Sequence, residues 1–381
     1  MRIAIVGGGP AGLFLGYLVK RSRPDWSIDI YEQNAADATF GFGIAFSERA
    51  LSFLERQDAA TMAAIAPALE RWTDSILYIG GAEVRIDGIG YTGIGRLRLL
   101  AALQAQAKSV GVVPHFGKRI DSLDQVRADL IVGADGANSF VRKVREAEFG
   151  TTITQLTNRF SWYGTRKYFP ALSHTFLATP RGAFNAHHHA HAPDMSTIVV
   201  EVDEATFLAN GFDTMPLADA QRLCGETFSD TLSGQALISN NSIWRRFPRI
   251  RNARWWAGNC VLLGDALHTI HFSIGSGTRL AMDDAYALGQ ALLRHAPDLG
   301  AALAAYRAAR EPVVEKLLAA SDASSMWYED FAQHMRLPPL EFAMSYITRS
   351  GRVDMDRLRR TSPDFVAAYE AERSTHARQS R

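Results

Sequence analysis

Short apolar runs alternate with amphipathic stretches along most of the 381-residue chain. Ile3 to Val6 are consecutive apolar residues, the pattern of a strand covered on both faces. A glycine-rich turn follows, and Leu13, Leu15, Tyr17 and Leu18 begin a helix. "SIDIYE" alternates as a second strand and ends at Glu32. "SILYIGGAEVRID" (75–87) predicts a hairpin about Gly80-Gly81. Leu130 to Val132 and Cys260 to Leu263 repeat the buried-strand pattern. Between about 156 and 254, strand-like runs ("FSWYGTRKYF", "GAFNAHHHAHA", "STIVVEV") surround one helix-like segment, "PLADAQRLCGETF". From Thr278 onward the pattern is mostly helical, and the polar "STHARQSR" terminus is expected to be disordered. No internal repeat is visible. These elements predict an α/β fold with a sheet inserted between the later strand–turn units.

The first turn adds chemistry to this pattern. Gly7, Gly9 and Gly12 carry the G-x-G-x-x-G spacing between strand and helix, and Glu32 lies about twenty residues past Gly12, where a dinucleotide fingerprint places its acidic residue. The first glycine makes the turn, and the second lets the backbone approach a pyrophosphate. The third lets the helix lie close to the sheet, with its N-terminus facing the phosphates. An acidic residue at the second strand's end suits an unphosphorylated ribose, so FAD or NAD is expected there rather than NADP.

Composition narrows the classes of partner. The chain is 47% hydrophobic and 21% charged, with a net charge of +1, so neither nucleic acid nor a membrane surface is expected as partner. Three consecutive glycines and a proline interrupt the apolar N-terminus, against a signal peptide or membrane helix. Cys224 and Cys260 form neither a disulfide framework nor a metal set, and a cytoplasmic setting is expected.

Two further strand–turn–helix units carry aspartates. In "ADLIVGADGANSFVRK", Asp135-Gly136 follows a strand, with Ser139 and Arg142 at helical spacing. In "LLGDALHTIHFSIGSGTRLAMDDA", Gly264-Asp265 is followed by Gly275 and Gly277. The three units, in this order, resemble the FAD-dependent aromatic hydroxylases of the p-hydroxybenzoate hydroxylase type, from residue 1 to about 320. The resemblance implies a Rossmann-like FAD-binding domain (1–74, 95–155 and 255–300), an inserted β-sheet substrate domain (75–94 and 156–254) and a C-terminal helical region (301–381). It also implies that Gly7, Gly9, Ala11, Gly12 and Glu32 hold the adenosine half of FAD. Asp135 and Gly136 would serve the pyrophosphate side. Asp265 would take the ribityl end, and Gly275, Ser276, Gly277 and Thr278 the flavin ring. Arg96, in "GIGRLRLLAAL", matches a flavin-contacting arginine. Phe272, Ser276 and Arg279 stand where the family usually has proline, glutamine and asparagine. With "TFGFGIAFS" (39–47), "RFSWYGT", "DMSTIVVEV" and "SSMWYEDFAQHM", this looks like the branch of salicylyl-CoA 5-hydroxylase, 2-aminobenzoyl-CoA monooxygenase and the violacein-pathway hydroxylase.

Individual residues carry competing expectations. "HHHAH" puts His187, His189 and His191 on one strand face, but no carboxylate nearby in sequence completes a metal set, and no metal is expected. His187 is placed in the substrate pocket by the resemblance, with a structural role equally open. His271 is expected to orient or deprotonate a phenol, or else to be a packed neighbour of Phe272. Trp162, Tyr163 and Phe272 are expected to contact substrate. In "WRRFPRIRNARWW", Arg249 is expected either on a solvated edge strand or against CoA phosphates.

The resemblance implies an NADH- or NADPH-fed, oxygen-dependent hydroxylation of an electron-rich aromatic ring, with salicylyl-CoA the first expectation. An indole or a free aminobenzoate or hydroxybenzoate is the alternative. A pyridine-nucleotide dehydrogenase would not explain the Gly-Asp units. A halogenase would show a W-x-W-x-I-P segment, which the sequence lacks. A non-catalytic flavin-binding protein is the remaining rival. A monomer or homodimer is expected, and no second reductase domain.

Overall fold

The computed structural model describes residues 1–39 and 41–379, with side chains to residue 375. Phe40, within the "TFGFGIAFS" segment, lies outside the described residues, as do Ser380 and Arg381. Of the tail expected to be disordered, residues 374–379 continue the last helix, Pro363–Gln379.

A five-stranded sheet runs in the order Trp256–Ala257, Cys260–Leu262, Leu130–Gly133, Arg2–Val6, Ser27–Tyr31. All its pairings are parallel except the two-residue edge strand's. Its strands are apolar because helices cover them, and Ile3, Ile5, Leu130, Val132, Val261 and Leu262 are buried. Helix Pro10–Ser22 packs against Arg96–Ser109 and Gly277–His295. The three strand–turn–helix units of the sequence therefore converge at the carboxyl ends of adjacent parallel strands, where open α/β sheets bind ligands.

The second sheet has eight strands. Its main path is Leu237–Ser239, Thr151–Thr165, Met195–Val202, Gly182–Ala192, Leu172–Thr179, Ser75–Ile79, Ala82–Ile86, and Arg245–Asn252 also pairs with Thr151–Thr165. Its long strand starts at Thr151 rather than at 156. Tyr91–Gly95 joins a separate three-stranded sheet with Gly43–Ser47 and Glu70–Trp72, so residues 75–94 do not all enter the large sheet. One face of the large sheet packs Tyr163, Phe184 and Ile198 under helix Leu217–Thr227. At the other end, Phe176, Leu77 and Ile79 meet Trp327, Phe331 and Phe342 of the C-terminal helices.

Register decides which side chains share a face. Trp162 pairs with Val199, Val199 with His187, and His187 with His174. Phe160 pairs with Glu201, and Glu201 with Asn185. These rows lie two residues apart on each strand and therefore point to one face. The adjoining row, Tyr163–Ile198–His188, points to the other.

Candidate functional site

The three nucleotide-type units line one groove of about 610 Å³, within the range of cofactor sites. Gly7 has φ +111°, and a Cβ there would meet the Ala134 carbonyl oxygen at 2.2 Å, so the first and second units touch through bare backbone. A Cβ on Gly12 would meet the Gly7 oxygen at 2.1 Å, whereas one on Gly9 would meet nothing within 4 Å. Gly9 thus opens onto the groove while Gly7 and Gly12 close the protein behind it. Helix Pro10–Ser22 starts with no side-chain cap, leaving its N-terminal amides for a ligand. Glu32 accepts from the Gly8 amide at 2.9 Å and from the Asn34 amide and side chain at 2.8 and 2.7 Å.

Asp135 Oδ2 accepts from the Phe140 and Val141 amides at 2.7 and 3.2 Å, capping the following helix. Its Oδ1 is buried with no partner among the described residues, and burial raises its pKa. Asp265 opens to the groove, but protein surrounds it on its other sides, and this burial raises its carboxyl too, against His268 and Arg96. Arg96 is lowered by burial and held up by Asp265. Ala11, Gly136, Gly277, Thr278 and Arg245 also line the groove. Helix Gly277–His295 begins after Ser276 without a side-chain cap, and a Cβ on Gly277 would meet nothing within 4 Å. The Ser276 hydroxyl instead donates to the Ile274 carbonyl at 3.3 Å. Gly275 has φ +60° and lies beside Tyr91. Behind the turn, buried Asp284 meets His268 at 3.0 Å and Arg310 at 2.8 Å, which outweigh burial and keep its pKa low. Two uncapped helix starts, an orphaned carboxylate oxygen and glycines open to the groove fit an extended, phosphate-bearing group such as FAD.

Phe272, on the turn between His271 and Gly275, marks a second region. Its ring centre lies 4.9 Å from Phe160, 6.4 Å from Trp162, 6.2 Å from Phe247 and 5.2 Å from His187. His187 Nε2 is 3.4 Å from Glu201 Oε2, and Asn158 donates to Glu201 Oε1 at 3.1 Å. His271 Nδ1 meets Ser273 Oγ at 2.8 Å, Ser273 Oγ meets Ser324 Oγ at 2.8 Å, and Arg349 donates to Ser324 at 3.0 Å. Burial lowers His187 to about 3 and His271 to about 4, Glu201 partly opposing the shift in His271. Burial raises Glu201 to about 7. Near neutral pH both rings are uncharged, and the carboxyl is poised to take or release a proton.

Some expected residues are not in this cage. Tyr163 is 1% exposed and lies on the opposite sheet face, in the core beside Cys224, because strand alternation turns it away from Trp162. Arg249 is held by Asp322, with Nε at 3.2 Å and a terminal nitrogen at 2.9 Å, and Arg251 shares the same carboxylate. Its charge is already matched, so it is not poised for CoA phosphates. From the same arginine-rich stretch it is Arg245 that lines the groove. Among the histidines, His191 meets Thr197 at 3.0 Å and His188 meets Thr175 at 2.9 Å. Among the described residues no group of three ligating side chains could hold a metal ion. The sequence pattern gave Asp284 no role, and Glu201 and Arg349 were not singled out by it. A lone glutamate inside the apolar "STIVVEV" run was the available signal for Glu201.

A parallel-sheet groove of this kind, next to an aromatic cage with buried proton-handling groups, defines a flavin-dependent oxidoreductase. The comparisons agree. A model of the FAD binding domain family matches residues 92–321. Salicyloyl-CoA 5-hydroxylase from a Streptomyces species is 35% identical over 361 residues, covering 92% of this chain and 70% of that enzyme. The 3-hydroxy-4-methyl-anthranilyl-(aryl-carrier protein) 5-monooxygenase of Streptosporangium sibiricum is 34% identical, covering 93% and 95%. The tetrameric structure of 2-methyl-3-hydroxypyridine-5-carboxylic acid oxygenase shares the fold, with TM-score 0.72, 17% identity and 95% of each chain covered. The chain belongs to this FAD-binding family and is a FAD-dependent aromatic monooxygenase. No helix among the described residues is long and apolar enough to cross a membrane.

Proposed function

We propose that this chain hydroxylates an electron-rich aromatic ring carried as a coenzyme A thioester, salicylyl-CoA first, with electrons from NADH or NADPH. The observation that carries the choice of ring chemistry is the cage around Phe272, closed by Phe160, Trp162 and Phe247 and backed by His187 and Glu201. The thioester comes from the relative named salicyloyl-CoA 5-hydroxylase. In such a substrate the hydroxyl directs attack para to itself. That carbon is also meta to the withdrawing thioester, so both substituents select it.

In this reading the Gly7–Gly12 loop and Glu32 hold the adenosine half of FAD. Asp135 and the helix start at Pro10 lie along the pyrophosphate, with Gly136 completing the turn. Asp265 and Arg96 take the ribityl side, and Gly275, Ser276, Gly277 and Thr278 lie against the ring. When bound and reduced, the flavin activates oxygen as an electrophile. The protein's own work is positioning, exclusion of water and proton handling. Phe272 and Trp162 fix the ring's plane. Neutral His187 accepts the phenol proton and passes one to Glu201, which makes the ring more electron-rich. His271, held through Ser273 and Ser324, orients the turn that carries Phe272.

The test is stopped-flow on the FAD-loaded enzyme, reduced without oxygen and then exposed to it, with and without salicylyl-CoA. Faster flavin reduction with the thioester and a hydroxylated thioester as product are expected. Reduction indifferent to the thioester, with only hydrogen peroxide released, would rule the substrate out.

A further inference from the structure

A second charged site lies beside the cage, and none of its residues lines the FAD groove. The guanidiniums of Arg49, Arg56 and Arg279 lie 5.6, 4.6 and 4.9 Å from the centre of the Phe53 ring. Arg49, Phe53 and Arg56 share helix Glu48–Gln57, and Arg279 reaches them from the first turn of Gly277–His295.

Counter-charge is scarce. Asp283 meets Arg279 at 3.1 Å and is shared with Arg310 at 3.9 Å. Among the described residues, no carboxylate forms an ion pair with Arg49 or Arg56, although Glu48 and Glu55 share the helix. Cations gathered this way repel one another until an anion arrives. The Phe53 ring face offsets part of that repulsion.

The cluster is continuous with the cage. Arg279 follows Gly275 by four residues, and Tyr91 sits against Gly275, at 3.7 Å from where a Cβ would stand. Arg349 donates to the Ser273 carbonyl at 2.9 Å, one residue from Phe272. A ligand with its charged end on the arginines would have its other end directed towards the turn that carries Phe272.

We propose that Arg49, Arg56 and Arg279 bind the phosphate groups of the coenzyme A thioester. Guanidiniums suit this because they grip phosphate bidentately and stay charged. The proposal rests on the thioester reading above and gives it a surface that Arg249 does not provide. It also explains how a chain of net charge +1 recruits a highly anionic substrate: the cations are concentrated, not abundant.

The test compares the FAD-loaded parent with the Arg49→Ala/Arg56→Ala double variant. Both residues are exposed, so folding and flavin content should match the parent, as checked by melting and absorbance. Coenzyme A binding is measured by calorimetry at two salt concentrations, and KM for salicylyl-CoA by product formation. Each should weaken about tenfold in the variant, the equivalent of losing ~1.4 kcal/mol of binding, and the salt dependence should flatten. A parent that hydroxylates salicylyl-CoA and a variant that does so with the same KM would overturn the arginine assignment and leave the thioester reading standing. Weaker NADPH binding with coenzyme A binding unchanged would overturn it in favour of the nicotinamide donor. A parent that neither binds coenzyme A nor hydroxylates the thioester would end both.

Discussion

Glu201 carries a carboxyl that burial pushes up to about 7, beside a His187 ring that burial pulls down to about 3. The folded protein therefore keeps Glu201 protonated at pH values where an unfolded chain has already released the proton. The stability linked to this is complete below the ordinary carboxyl value of 4.5 and is lost as pH rises through about 7. Glu201→Gln stays neutral throughout. Above pH 7 it should melt higher than the parent, by on the order of 1–3 kcal/mol, and below the ordinary carboxyl value of 4.5 the two should converge. Its activity should move the other way. With no acceptor behind His187, hydroxylation at pH 8 should fall roughly a hundredfold, and the limb of the pH profile near 7 should vanish. A variant that keeps both the limb and the rate would show that the proton goes elsewhere.

The glycine turn separates two roles within one short element. Gly9 has φ −74° and ψ 179°, which any residue adopts, and faces open groove. Gly9→Ala should leave the apoprotein's stability within about 0.5 kcal/mol of the parent while weakening FAD binding. Gly12→Ala should cost the apoprotein ~1–3 kcal/mol or more, since its Cβ would press on the Gly7 carbonyl. Melting of the apoproteins and FAD titration by fluorescence distinguish the two, and equal losses in both would sink the assignment. Arg249 belongs to the same scale. It ties strand Arg245–Asn252 to helix Leu299–Glu329 through Asp322, so Arg249→Ala should cost about 0.5–1 kcal/mol in melting and leave the thioester's KM unmoved. The strand–glycine–helix units were legible because their signals are local: a run of apolar residues, a turn, an acidic residue at fixed spacing. What stayed hidden depends on register and on distant pairing. Alternation says that Trp162 and Tyr163 oppose each other, but not which of them meets Phe272. Asp322 lies too far along the chain for its claim on Arg249 to be visible. Strand Tyr91–Gly95 was not legible because its partners, Gly43–Ser47 and Glu70–Trp72, come before the hairpin and not from it.

Across the whole molecule, seven of the eleven histidines are buried. His174, His187, His188, His189, His191 and His271 all have pKa values lowered first by burial. Below the ordinary histidine value of 6.5 an unfolded chain takes up protons that these folded rings refuse, so stability is lost as pH falls from there towards 3–4. Asp135, Asp265 and Glu201 act in the opposite sense, because burial raises them and the folded state holds their protons longer. The histidines outnumber these carboxyls, so net proton uptake on unfolding should govern the range from 6.5 to 5. Each net proton corresponds to about 1.4 kcal/mol of lost stability per pH unit. The FAD-loaded enzyme should therefore melt lower at pH 5 than at pH 7. The groove is built from residues as far apart as Gly7, Arg96, Asp135 and Thr278, which come together only when both the parallel sheet and the helix after it are formed. Release of flavin, followed by its fluorescence, should then coincide with the loss of secondary structure at both pH values. Melting that is independent of pH, or flavin lost well before the fold, would mean that the histidine-rich sheet and the FAD groove do not unfold as one unit.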